Sequence, residues 1–226
     1  KRFTSIVAVM MALVALLLAT TSAVAQTQHL QKGSVLVYPL FDATAGSGTT
    51  ICVTNTNTTK VYCPGSDYRS GDVVAHFQYI DGDNCLEFDR YEYLSPGDTL
   101  CVIVNLHNIE SKKGFVMVSA VNPSDLSERI DFDYLIGSAM VVQADLNFQW
   151  NYTPYAFRGL PGDPEPDETE CDRPATDKDN DGAVDFDGDE YDLFPRELFI
   201  DSFFEETGNF TNLLALVSTA GQDYIN

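Results

Sequence analysis

Between Gly33 and Phe157 the chain is a succession of short apolar or alternating runs, each closed by a turn signal. No 3.6-residue apolar period holds over a useful length, so helices cannot supply the core of this region. The runs cover residues 34–41, 50–55, 73–80, 86–93, 99–106, 114–121, 130–136, 139–143 and 146–152. Between them stand TAGSG, PGSDYRSGD, DGDN, SPGD and NPSD, rich in the residues that set tight turns. Many short strands at this spacing predict an all-β chain folded as an antiparallel sandwich.

The buried side of some strands is also legible. Leu146, Phe148, Trp150 and Tyr152 alternate with Asn147, Gln149, Asn151 and Thr153, and Ile130, Phe132 and Tyr134 with Asp131 and Asp133. One face of such a strand packs and the other is wet. Residues 114–121 are apolar on both faces, which predicts a central strand.

Lys1 and Arg2 precede an apolar core at 6–19, and Ala23-Val24-Ala25 closes it with small residues. That is the pattern of a Sec-type signal peptide, cut after Ala25. A membrane span needs about 20 apolar residues. This core is shorter and is interrupted by Thr20, Thr21 and Ser22. The expected location is extracellular or periplasmic, with no membrane insertion after cleavage. Cleavage removes two of the 13 basic residues and none of the 34 acidic ones, moving the formal charge from −21 to −23. Nucleic acid is excluded as a partner, because its binding needs Lys and Arg to neutralise phosphates. Anionic lipid is disfavoured for the same reason, whereas cations are attracted.

An oxidising compartment turns attention to the five cysteines. Cys52, Cys63, Cys85 and Cys101 lie in the first half, and Cys171 stands apart. No C-x-x-C pair occurs and His29, His76 and His107 are scattered, which argues against zinc. If the runs at 50, 73, 86 and 99 are successive antiparallel strands, matching their ends pairs Cys52 with Cys85 and Cys63 with Cys101. A different strand order makes Cys52–Cys101 the bridge, expected then to join two sheets.

The stretches TTICVTNTNTT, VVAHFQYID and YEYLSPGDTLCVIV look like a strand ending in Asn/Thr turns, a partner strand and a strand–Pro-Gly–strand corner. In this the region resembles the immunoglobulin-like β-sandwich modules of exported bacterial proteins. The resemblance implies an architecture and attaches no activity to it.

From Gly159 the composition shifts. Residues 162–192 hold 14 of the 34 acids against Arg173 and Lys178, with Pro164, Pro166 and Pro174 among them. DKDNDGAVDFDGDE, residues 177–190, places seven acids in fourteen positions. Asp177, Asp179, Asp181 and Gly182 fit D-x-D-x-D-G, with Asp185 at the ninth position. Calcium takes six to eight oxygens, and alternate carboxylates converge on one ion if the chain turns sharply. Gly182 permits that turn. Ala183 would offer its backbone carbonyl, and Asp187, Asp189 or Glu190 would stand in for the twelfth-position Glu, where Gly188 sits. The segment resembles EF-hand-type loops and the calcium repeats of thrombospondin type 3. The opposing expectation is a solvated acidic linker.

No G-x-S-x-G, phosphate loop or His-Glu-x-x-His occurs. Glu170 and Asp172 flank Cys171 and oppose a reactive thiolate. The chain is therefore expected not to be an enzyme. Trp150, Tyr152, Tyr155 and Phe157 form either core or a sugar-stacking platform, and the alternation of Trp150 and Tyr152 favours core. Three Asn-x-Thr sequons occur, at Asn57, Asn151 and Asn209. The expected organisation is a signal peptide at 1–25, a sandwich at 26–158, an acidic calcium-binding linker at 159–191 and the start of a truncated second β-module at 192–226. The expected role is structural or adhesive, with a protein or glycan partner at the cell surface. A carbohydrate-binding accessory module of a secreted enzyme is the alternative.

Overall fold

The computed structural model describes residues 31–160 apart from 66, 109, 145 and 146, together with 176 and 184–194. It is an antiparallel β-sandwich. In chain order the elements are β1 (Val35–Asp42), β2 (Ser47–Asn55), β3 (Val73–Asp81), β4 (Glu87–Leu94), β5 (Thr99–Ile103), one helical turn α1 (Val104–His107), β6 (Lys113–Asn122), β7 (Asp125–Arg129), β8 (Leu135–Gln143), β9 (Phe148–Tyr152) and β10 (Tyr155–Phe157). A six-stranded sheet runs β10-β1-β6-β3-β4, with β7 on β6, and a four-stranded sheet runs β5-β2-β8-β9.

The core lies between the sheets. Leu36, Tyr38, Phe77, Tyr79, Val116 and Val118 of the larger sheet meet Ile51, Val53, Leu135 and Ala139 of the smaller. β6 is the central strand expected from its two apolar faces, paired with β1 on one side and β3 on the other. Tyr38 reaches across the core and donates its hydroxyl to the Cys52 carbonyl at 2.9 Å. Gly137 makes room for it. A Cβ there would stand 1.9 Å from the Tyr38 hydroxyl, so no side chain fits.

The cysteines pair otherwise than strand ends suggest. Cys52 bonds Cys101, and Cys85 is an exposed free thiol. The expected pairs Cys52–Cys85 and Cys63–Cys101 fail because β5 is not the fourth strand of a meander. It leaves the β3–β4 hairpin, crosses to the other sheet and lies beside β2, with Cys101 opposite Cys52 in register. The bridge thus joins neighbouring strands of one sheet, on its outer face, and not two sheets. Cys63 is buried and itself disulfide-bonded.

Three further expectations shift. Residues 130–136 are not one strand. Ile130 and Phe132 are core, but 131–134 turn between β7 and β8. β5 stops at Ile103 and the expected 104–106 extension is the helical turn. β7 and β10 are short strands that carry little apolar alternation. Among the described residues no helix is long and apolar enough to cross a membrane.

Candidate functional site

Four of the seven proposed calcium ligands, Asp177, Asp179, Asp181 and Ala183, lie outside the described residues. Asp185, Asp189 and Glu190 lie in the segment that follows, and its placement is informative. Residues 184–194 are seated on the outer face of the six-stranded sheet. Val184, Phe186 and Tyr191 pack on Val35, Val37, Met117 and Phe157 as a second apolar cluster, with Phe115 and Phe194 at its border. Phe157 lies 4.3 Å from Phe186 and 5.6 Å from Phe194 between ring centroids. Apolar residues inside an acidic run are the anchors here, because their burial outweighs the crowding of charge around them.

Within the segment the chain folds back tightly. The Gly188 amide donates to the Tyr191 carbonyl and the Phe194 amide to the Phe186 carbonyl, each at 3.0 Å. Gly188 has φ of 90°, in the left-handed region that glycine adopts without cost. The Asp187 carboxylate accepts the amides of Asp189 at 2.7 Å and Glu190 at 3.3 Å. Asp185 is half-buried, Asp189 is exposed and Glu190 is buried. Among the described residues no three His, Cys, Asp or Glu side chains gather as an ion would require.

A polar seam locks the segment to the sandwich. Gly159 bridges Tyr191, the Leu160 amide donates to the Glu190 carbonyl at 2.8 Å, and the Asp192 amide donates to the Arg158 carbonyl at 3.0 Å. Arg158 grips both carboxylate oxygens of Asp192, Nε to Oδ2 at 3.0 Å and Nη2 to Oδ1 at 3.1 Å. That fork-on-carboxylate geometry is the directional form of an ion pair, and it holds the Asp192 carboxyl below its ordinary range. The Tyr191 hydroxyl meets the Thr176 hydroxyl at 2.6 Å, and burial pushes the phenol up to about 12.

Ser34 is the hub under the seam. Its Oγ accepts the Phe132 amide at 2.7 Å and the Gly159 amide at 3.3 Å, and donates to Asp133 Oδ1 at 2.8 Å. Asp131 Oδ1 lies 3.5 Å away. Burial, reinforced by the Asp133 charge, pushes the Asp131 carboxyl up to about 6. Burial raises Asp133 as well, against the pull of Ser34 and the Gly159 amide. Alternation placed both acids on a wet face, and it missed this cluster. Ser34 and Asp131 are 97 residues apart, and no local pattern links them.

His76 and His107 are held inside the sandwich or against its face. His76 Nε2 meets Asp89 Oδ1 at 2.7 Å, and its ring stacks on Tyr91 with centroids 4.2 Å apart. Ser119, its cross-strand neighbour, is fully buried. His107 lies between the Tyr79 hydroxyl at 2.6 Å and Glu92 at 3.2 Å. Burial depresses both imidazoles below their ordinary range. Of the four aromatics weighed as a platform, Phe157 is buried under the segment. Tyr152 packs on the main core and donates to the Leu40 carbonyl, Trp150 is half-buried, and Tyr155 is exposed.

No protein-family model and no curated protein matches the chain. A solved structure titled "Crystal Structure of Thermotoga maritima 1070" is similar at 12% identity, over 55% of this chain and 95% of that one, with a TM-score of 0.40. A likeness of that size carries no inference about function.

Proposed function

We propose that this chain is a non-catalytic β-sandwich module of an exported protein, structural or adhesive in role, with a calcium-responsive acidic joint at its carboxyl end. The observation that carries the reading is the docking of residues 184–194. The D-x-D-x-D-G stretch at 177–182 ends one residue before a segment fixed to the sandwich by Phe186, Tyr191 and the Arg158–Asp192 clasp. Carboxylates tethered to a fixed point lose less freedom on closing around an ion than those of a free linker. Ca2+ bound by Asp177, Asp179, Asp181, the Ala183 carbonyl and Asp185, with Asp189 or Glu190 completing the shell, would set the path of the chain into that anchor. The signal peptide at 1–25 and the disulfide chemistry belong to the same exported setting. Limited proteolysis tests the joint. Cleavage near Asp179 should slow at millimolar Ca2+ and recover with chelator, and Asp179→Asn/Asp181→Asn should be cut equally in both. Equal cleavage of the unaltered chain with and without calcium would remove the joint.

A second reading, a carbohydrate-binding accessory module, is favoured by one observation. Tyr62, Tyr91 and Tyr93 are 66%, 43% and 53% exposed, near one end of the six-stranded sheet. Phenol rings in that number on a surface point to a ligand more often than single exposed apolar residues do.

A further inference from the structure

The chain carries 34 acidic and 13 basic residues, yet one whole face of the sandwich has neither. The outer side of the four-stranded sheet is formed by alternate residues of β2, β5, β8 and β9, and every one of them is uncharged. Ile103, Thr50, Met140 and Asn151 stand side by side as one rung across the four strands. The Cys52–Cys101 bridge and Ser138 form the next rung, and Thr99, Thr54 and Ile136 the one beyond.

This face is open and fixed. Ile103 is 52% and Met140 37% exposed, and Thr99, Ser138 and Asn151 are exposed beside them. The larger sheet differs, because the chain's own Val184, Phe186 and Tyr191 pack on the apolar patch of its outer side. On the smaller sheet β2 and β8 are hydrogen-bonded along both edges, and the disulfide ties β5 to β2. A surface set in advance loses little freedom on docking.

The chemistry of the face selects its partner. It has no cation for a phosphate or an acidic surface, and no carboxylate for a metal or a basic one. Its outward positions hold no aromatic ring on which a sugar or a base would stack. A charged surface laid on it would lose water and gain no counter-charge. The match is another flat, neutral surface of methyl, hydroxyl and amide groups. A second copy presents that surface, and its acidic surfaces then point away from the contact. Two sheets stack face to face about 10 Å apart with strands within about 30° of each other. One patch against itself is the isologous contact of a two-fold dimer. We infer that the chain pairs with a second copy of itself through the outer face of the β5-β2-β8-β9 sheet, with Thr50, Cys52, Ser138 and Met140 at the centre. Four strands about 4.8 Å apart, along residues 48–54 of β2, give a footprint of roughly 400 Å². A standard interface takes about 800 Å² per partner, so the dimer is weak, with Kd of about 10⁻⁴ M.

Analytical ultracentrifugation of the intact chain at up to about 1 mM tests this, with chelator present so that the acidic joint plays no part. A monomer–dimer equilibrium is expected. It should tighten about threefold or more between about 0.05 and 0.5 M NaCl, because salt screens the repulsion between two acidic chains and the contact has no ion pair to lose. Met140→Glu and Ile103→Lys place unpaired charges of opposite sign in the contact, and each should weaken the dimer about tenfold or more. Leu126→Glu, at a 44% exposed position on β7 of the other sheet, should change it less than about threefold. All three side chains are more than a third exposed, so thermal midpoints near that of the unaltered chain separate a lost contact from a lost fold. A chain that stays monomeric at about 1 mM in about 0.5 M NaCl overturns the inference, as does a dimer that weakens with added salt. A dimer left intact by both Met140→Glu and Ile103→Lys also overturns it, and moves the contact to a sheet edge.

Discussion

Ser34 shows how much one small side chain can organise. It is fully buried and satisfies two backbone amides from separate segments while orienting Asp133. Ser34→Ala leaves the Phe132 amide without its acceptor and Asp133 without its donor, and an orphaned buried group costs about 1–3 kcal/mol. We expect a loss of about 2–4 kcal/mol in urea unfolding, with faster hydrogen exchange at Gly159 and Leu160. Asp131 carries a pH signature. Its folded pKa of about 6 lies above the unfolded value, so the folded state holds the proton more tightly and stability falls as pH rises from about 4 through 6. Asp131→Asn removes that loss. It should exceed the unaltered chain by about 2 kcal/mol at pH 7.5 and match it near pH 4, as read from chemical unfolding at both pH values. A gap that persists at pH 4 would contradict the assignment. His76 and His107 act in the opposite sense. Their folded pKa values are depressed, so the fold loses stability as pH falls below about 6.5. The Asp131 effect is therefore read from the difference between two proteins and not from one pH profile.

At the scale of elements, β5 is the strand that most needs help. It is five residues long, it lies at a sheet edge, and β2 is its one strand partner. The Cys52–Cys101 bridge ties it there and closes a span of 49 residues. Chain-entropy reasoning puts the stabilisation from such a loop at about 4 kcal/mol. Cys52→Ala/Cys101→Ala should lower the unfolding free energy by about 2–4 kcal/mol and speed amide exchange in β5 before β2. Gly137→Ala should cost about 1–3 kcal/mol, because Tyr38 must withdraw from the Cys52 carbonyl. Most strands were legible as apolar runs between turn signals, since period-two burial and Gly/Pro punctuation are local. The path of β5 was not. Whether a strand after a Pro-Gly corner stays in its sheet or crosses to the other depends on which face of the core remains open, and no residue near Pro96 records that. The turn at 131–134 was hidden for a related reason. IDFDY alternates like a strand, but Asp131 and Asp133 turn inward to a serine near the other end of the domain.

For the whole molecule, the acidic region is not simply an appendage to the sandwich. Its downstream end covers part of the outer sheet face, and Phe186, Tyr191 and Phe194 among the acids mark where it does so. Those aromatics were visible in the sequence, but charge density masked their meaning, since seven acids in fourteen residues read first as a ligand set or a solvated linker. Tyr191→Ala should loosen this contact, exposing the Leu160 and Asp192 amides to exchange while leaving β3 and β6 protected. The docked anchor and the D-x-D-x-D-G spacing together define the account's central claim, that a divalent ion closes the acidic joint against the sandwich. Isothermal titration of the intact folded chain with Ca2+ measures this directly. Saturable heat with Kd of about 10⁻⁴ to 10⁻³ M is expected, abolished by Asp179→Asn/Asp181→Asn and weakened by Tyr191→Ala. No heat at millimolar Ca2+, or binding that Asp179→Asn/Asp181→Asn leaves unchanged, would contradict it.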